Sequence, residues 1–343
     1  MATVQYISPA GEVAGELPLT TEELVRGYRA AARARFFDER AVTLQRQGRL
    51  GVYPPFRGQE AAQVGAALAL TERDWLVPSY RETAAALTHG LPLSQVILYW
   101  RSHPAGWRFP EGLRLLPFYV PIATQLPHAV GLALAGRYQA EEPWVVLAFI
   151  GDGGTSEGDF HEALNFAAVY KAPVVFVVQN NGWAISTPTE RQMGNVRIKD
   201  RALGYGMAGV RVDGNDLAAT WLTAREAVAR ARAGEGPTLI EALTYRIAPH
   251  TTSDDPGRYR DEAEARRHAA EEPLARLRRV LGARGAWDEA REAELERELE
   301  AELQAALAEA DAAPDAAPAE IVEHVYAELG PDQRRAWEAL GGR

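Results

Sequence analysis

Two apolar runs stand out in the middle of the chain. Residues 144–150 read Trp-Val-Val-Leu-Ala-Phe-Ile, and residues 173–179 read Pro-Val-Val-Phe-Val-Val-Gln. Neither alternates with polar residues and both are rich in β-branched side chains, as expected of strands buried on both faces of a parallel sheet. Between them Phe160, Ala163, Leu164, Ala167 and Ala168 fall at helical spacing. Strand, helix and strand with short joints make a βαβ unit, parallel and right-handed. The rhythm returns with a strand at 210–214, a helix at 216–234 closed by Gly234, and a strand at 237–247. The pattern predicts an α/β fold built on a doubly wound parallel sheet.

On the N-terminal side a long helix is predicted from Thr21, with Thr20 or Thr21 as cap, Glu22 and Glu23 in its first turn and Gly48 at its end. Further helices are expected at 58–70 and 123–139, the latter with Pro127 near its start, and a short strand or turn at 74–82. Residues 1–20 read as a surface arm and 21–260 as the α/β domain. Residues 261–343, with mixed charges at helical spacing, read as a helical extension of that domain.

Charge narrows the partners. The chain has 37 Lys and Arg against 47 Asp and Glu, a net charge of −10, which argues against nucleic acid or an anionic membrane. With no cysteine, disulfides, iron–sulfur clusters and Cys-type zinc sites are excluded. The first residues lack the basic and apolar blocks of a secretory signal, and no apolar run is long enough to span a bilayer, so a soluble cytoplasmic protein is expected.

Chemistry enters at the strand exits. In open parallel sheets ligands bind beyond the C-terminal ends of the strands. Asp152 follows the first central strand, Asn181 follows the second, and His250 comes shortly after the last. Gly151, Gly153 and Gly154 allow a sharp turn and close approach to a ligand. Ser156 followed by Asp159 has the look of a helix N-cap, which would direct the positive end of a helix at a phosphate. A carboxylate and an amide oxygen suit Mg²⁺, which shares its shell with substrate phosphates. A nicotinamide fingerprint would need a glycine where Ser156 stands, and the P-loop signature is absent.

Gly151-Asp152-Gly153, followed after 26 intervening residues by Asn180-Asn181, resembles the thiamine diphosphate motif. "FRGQEAAQVG", "VPSYRETAAALTHGLPL", "PIATQLPHAVGLALA", "ISTPTERQ", "VRVDGND", "GEGPTLIEALTYR" and "APHTTSDDPGRYR" are similar, in the same order, to the alpha subunit of 2-oxo acid dehydrogenases. The resemblance covers roughly residues 20–330. It implies the diphosphate-binding half of the thiamine diphosphate fold. Mg²⁺ would be held by the side chains of Asp152 and Asn181 and by the carbonyl of Trp183. Gly153 and Gly154 would meet the diphosphate through backbone N–H groups, and Tyr80 and Arg81 would hold it from the other side. Val120 and Ile122 would touch the aminopyrimidine, and His250 would act in catalysis, orienting substrate and passing the acyl group on. The resemblance further implies a beta subunit that supplies the activating glutamate in an α2β2 enzyme, and a lipoyl-bearing acyltransferase as acceptor. Pyruvate is the expected substrate. Branched-chain 2-oxo acids such as 3-methyl-2-oxobutanoate, or acetoin, are the alternatives, and a non-catalytic nucleotide-binding protein is the alternative from another class. His128 is expected to serve helix packing. His89, His103, His161, His268 and His324 are expected to be structural or exposed, and Gln59 to be either a structural hydrogen-bonder or a pocket residue.

Overall fold

The computed structural model describes residues 2–139, 143–323 and 325–342; His324 lies outside them. The helix α1 (Thr21–Arg46) opens the domain through a complete capping box: Thr20 accepts from the Glu23 amide and Glu23 returns a bond to the Thr20 amide. Then come α2 (Glu60–Ala67), β1 (Trp75–Val77), α3 (Thr83–Thr88), α4 (Leu93–Trp100) and α5 (Gln125–Gln139). The central unit is β2 (Val146–Gly151), α6 (Gly158–Tyr170) and β3 (Val174–Asn180). A small antiparallel pair, β4 (Trp183–Ala184) and β5 (Thr187–Pro188), precedes the short helices α7 (Thr189–Gln192) and α8 (Arg201–Gly204). The α/β rhythm ends with β6 (Ala208–Asp213), α9 (Leu217–Arg232) and β7 (Thr238–Leu243). No described helix is long and apolar enough to cross a membrane.

The main sheet has five strands in the order β1-β2-β3-β7-β6, all parallel. The apolar runs are continuous because both faces are covered. Leu147, Phe149, Val175 and Val177 pack into one core with α1, α2 and α9. Val146, Ala148, Ile150, Val174, Phe176 and Val178 pack into a second core with α5 and α6. Successive side chains point to opposite faces, so each run must be apolar at every position.

The N-terminal arm runs along the outer strand. Val4 bridges to Val212, and the amides of Tyr6 and Ile7 both donate to the buried carboxylate of Asp216 at 2.7 Å. Beyond the last strand come α10 (Glu262–Ala269), α11 (Pro273–Ala283), α12 (Glu289–Asp311), α13 (Glu320–Glu323) and α14 (Pro331–Ala339). The helix α12 buries Leu295, Leu299, Leu303 and Leu307, a stripe at i, i+4 spacing, in the core that holds α1.

Candidate functional site

The parallel register brings the strand exits together. Gly151 of β2 lies beside Gln179 of β3, and Asn180 lies beside Leu243 of β7. Asp152 therefore emerges next to Asn181, whose backbone N–H donates to Asp152 Oδ1 at 3.3 Å. Thr189 Oγ1 donates to Asp152 Oδ2 at 3.1 Å. Burial pushes the Asp152 carboxyl above its ordinary range, opposed by these hydrogen bonds and by the charge of Arg246.

The two asparagines have different partners. Asn180 donates to Glu241 Oε1 at 2.9 Å, and Glu241, buried in β7, also accepts from the Lys199 amide and pairs with Arg211. Asn181 lines the cleft instead. Its Nδ2 donates to Gln59 Oε1 at 3.1 Å, and its Oδ1 accepts from the Trp183 amide at 3.1 Å.

The glycines after Asp152 are needed for close packing. A Cβ on Gly153 would stand 2.8 Å from Cβ of Ala184, and one on Gly154 would stand 2.7 Å from Ile150 Cδ1 and 2.9 Å from Ile122. Ser156 does not cap α6. The chain first makes a 3₁₀ turn over Gly153–Ser156, closed by the Thr155 amide on the Asp152 carbonyl and the Glu157 amide on the Gly154 carbonyl. The helix then begins at Gly158, with Glu157 at its cap position making no side-chain cap bond. Ser156 Oγ instead accepts from Gln192 Nε2, which also clasps the carbonyls of Asp152 and Gly153.

These groups line a cleft of about 460 Å³. Tyr80, Arg81, Val120, Ile122, Asp152, Gly153, Gly154, Asn181, Trp183 and His250 all contribute to its wall. Val120 and Ile122 are exposed at 62% and 40%, which puts them at the mouth. The Arg81 side chain is buried, and Nη1 donates to the carbonyls of Pro55 and His250 at 2.6 and 2.9 Å. Its Nη2 donates to His250 Nδ1 at 3.1 Å, so the imidazole proton sits on Nε2. Burial lowers the His250 pKa to about 4, helped by the charges of Arg81 and Arg246 and opposed by Asp254. The imidazole is neutral at pH 7.

Sequence reasoning missed several wall residues. Arg246 is fully buried and donates to the carbonyls of Trp183 and Ile185 at 3.3 and 2.6 Å. Glu82, also buried, accepts from the Ser79 amide at 2.7 Å and from Gln179 Nε2. No local signal separates Arg246 from a surface charge, because Trp183 and Ile185 lie some sixty positions away, and Glu82 joins a local bond from Ser79 to a distant one from Gln179. Gln59 belongs to the cleft wall. The other described histidines are engaged elsewhere: His89 with the Arg114 carbonyl, His103 with the Pro314 carbonyl, His161 with the Tyr205 hydroxyl, and His268 stacked on Tyr245 at 3.9 Å. His128 is exposed at the start of α5 beside Tyr119, so it does not pack inside a helix interface of this chain.

The parallel sheet presents a carboxylate and an amide at one rim, faced by a buried arginine and a neutral histidine, at the strand ends where open α/β folds bind ligands. The chain belongs to the 2-oxo acid dehydrogenase E1 alpha-subunit family: the model of the dehydrogenase E1 component matches residues 28–319. It is 46% identical over 342 residues to the 3-methyl-2-oxobutanoate dehydrogenase subunit alpha of Mycobacterium tuberculosis, covering 98% of this chain and 93% of the relative. It is 43% identical over 296 residues to the pyruvate dehydrogenase E1 component subunit alpha of Staphylococcus aureus, covering 85% and 80%. The protein of that same name from Acholeplasma laidlawii is 42% identical over 326 residues, covering 94% of each chain.

Proposed function

We propose that this chain is the diphosphate-binding alpha subunit of a thiamine diphosphate- and Mg²⁺-dependent 2-oxo acid dehydrogenase. The observation that carries the reading is the pairing of Asp152 with Asn181 at adjacent strand exits, opposite Arg81 and His250 in one cleft. The donor set fits the group. Among the described residues no cluster of three or more His, Asp or Glu could hold a metal by itself. One carboxylate, one amide oxygen and one carbonyl, from Asp152, Asn181 and Trp183, suit a hard cation that completes its shell with phosphate oxygens. Arg81 and the N–H groups of Gly153 and Gly154 are the chain's donors for those phosphates.

Bound thiamine diphosphate supplies the nucleophile and electron sink that decarboxylation of a 2-oxo acid requires. The chain's own residues hold and orient. The neutral His250 has Nδ1 engaged by Arg81 and keeps a proton on Nε2 to donate to a substrate oxygen. Val52, Trp100, Val120 and Ile122 give the cleft an apolar lining. Glu82 is not a free base, because its oxygens are taken by Ser79 and Gln179. Membership of the E1 alpha family supports a beta-type partner as the source of the activating carboxylate and a lipoyl-bearing acyltransferase as acceptor of the acyl group.

Calorimetry with thiamine diphosphate, with and without Mg²⁺, tests the reading. Binding should require the metal and weaken by about 10- to 100-fold in Asp152→Ala, the range for losing a charged contact. Metal-independent binding, or full affinity in the mutant, contradicts it. Full-rate decarboxylation by the chain alone contradicts the two-chain part.

For the substrate, we favour a branched-chain 2-oxo acid over the pyruvate that sequence analysis put first. Supporting this are the extent of the match to the M. tuberculosis relative and the apolar mouth of the cleft. Pyruvate is the second reading, supported by the names of the S. aureus and A. laidlawii relatives. Turnover of the assembled enzyme with 3-methyl-2-oxobutanoate against pyruvate decides: a kcat/KM higher for pyruvate reverses the order.

A further inference from the structure

Gln59 occupies a built position. Gly58, at φ +94°, is pressed against the Tyr245 carbonyl, where a Cβ would stand 2.4 Å from the oxygen. Its N–H donates to Glu60 at 2.9 Å, and Arg35 holds Glu60 in place. This lodges Gln59 at the start of α2, fully buried and on the cleft wall. Its Oε1 accepts from Asn181 at 3.1 Å. Its Nε2 is buried and has no partner among the described residues. A buried amide donor without an acceptor is unfavourable, so a ligand in the cleft is the natural acceptor.

One turn along the same face of α2, behind the cleft lining, Gln63 braces the backbone around Arg81. Its Nε2 donates to the Arg81 carbonyl at 3.1 Å, and its Oε1 accepts from the Ala84 amide at 3.0 Å. A single helix face thus spans from Asn181 to the Tyr80–Arg81 turn.

Building on the thiamine diphosphate reading, we infer that Gln59 is a binding residue of this cleft: its Oε1 sets the Asn181 amide, and its Nε2–H is donated to an oxygen of the bound diphosphate. The test is calorimetric titration of the assembled enzyme with thiamine diphosphate at saturating Mg²⁺, for wild type, Gln59→Met, Asn181→Ser and the double mutant. Gln59→Met should weaken binding by about tenfold, with the melting temperature of the ligand-free enzyme nearly unchanged. In the double mutant the two losses should combine to less than their product, because Oε1 acts through Asn181. Affinity within twofold of wild type in Gln59→Met, or losses that simply multiply, overturns the inference. If Gln59→Met does not assemble, Gln59→Asn, which draws the amide back by one methylene, should show the same loss, and unchanged affinity there overturns it equally. Failure of the wild type to bind thiamine diphosphate would instead refute the functional reading on which this rests.

Discussion

Arg81 and His250, 169 positions apart in the chain, are joined by two bonds: Nη1 to the His250 carbonyl at 2.9 Å and Nη2 to its Nδ1 at 3.1 Å. A guanidinium cannot accept a proton from the ring, so this contact holds His250 in one neutral tautomer. Arg81→Met should raise the His250 pKa from about 4 toward the ordinary 6.5 without fully restoring it, because burial is the larger cause and remains. An NMR titration of the His250 ring reads this directly, and an unmoved pKa would show that Arg81 does not tune the ring.

The same residue predicts an acid limb in stability. The folded-state pKa of about 4 lies below the unfolded 6.5. The neutral form therefore stabilises the fold fully above 6.5, and that contribution is lost as pH falls from 6.5 toward 4. His250→Gln should flatten the pH dependence of the melting temperature in that window.

Glu82 predicts the opposite slope. Burial raises its carboxyl from 4.5 to about 7, against the charge of Arg81 and the hydrogen bonds it accepts. The folded chain keeps a proton that the unfolded chain releases above 4.5, so stability from this group falls as pH rises from 4.5 to 7. Glu82→Gln should melt at a temperature that gains on wild type across that window. The amide is accommodated because Gln179 Oε1 has no partner among the described residues and can accept from the new nitrogen after a flip. A constant difference from pH 4.5 to 7 would contradict the assignment.

The split between the asparagines gives paired mutants. Asn180→Ala removes a donor from the buried Glu241 and should cost about 1–3 kcal/mol of stability in denaturant unfolding. Asn181→Ala should mainly reduce cofactor affinity, measured by calorimetry. The reverse pattern would mean that the roles have been exchanged.

Gly58→Ala tests the lodging of the α2 start. The new methyl meets a backbone carbonyl at 2.4 Å in a conformation that L-residues rarely adopt, so a loss of about 1–3 kcal/mol or more is expected. A melting temperature equal to wild type would show that the loop yields freely.

Much of this protein is legible along the chain. The unbroken runs at 144–150 and 173–179 announce two-face burial, and β2 and β3 fall within one or two residues of them. The Thr20–Glu23 box starts α1 as expected, because a cap is a contact three residues long. Topology alone puts Asp152 and Asn181 at one rim. All of this follows from periodicity and short-range bonding, which neighbouring residues encode.

The three-dimensional fold decided the rest. Local signals favoured Ser156 as a cap, yet its hydroxyl is taken by Gln192, 36 positions away, and a 3₁₀ turn delays the helix to Gly158. Two adjacent asparagines look equivalent in sequence, but consecutive residues at a strand end point to opposite sides, and the strand order places Glu241 on one side and Gln59 on the other. Arg246 and Gln59 acquire their roles only through partners brought to the same rim by the β1-β2-β3-β7-β6 order, and Glu82 adds the distant Gln179 to its local bond with Ser79. A side chain's charge and shape are written at its own position, whereas its solvation and its partners are set by what the sheet packs around it.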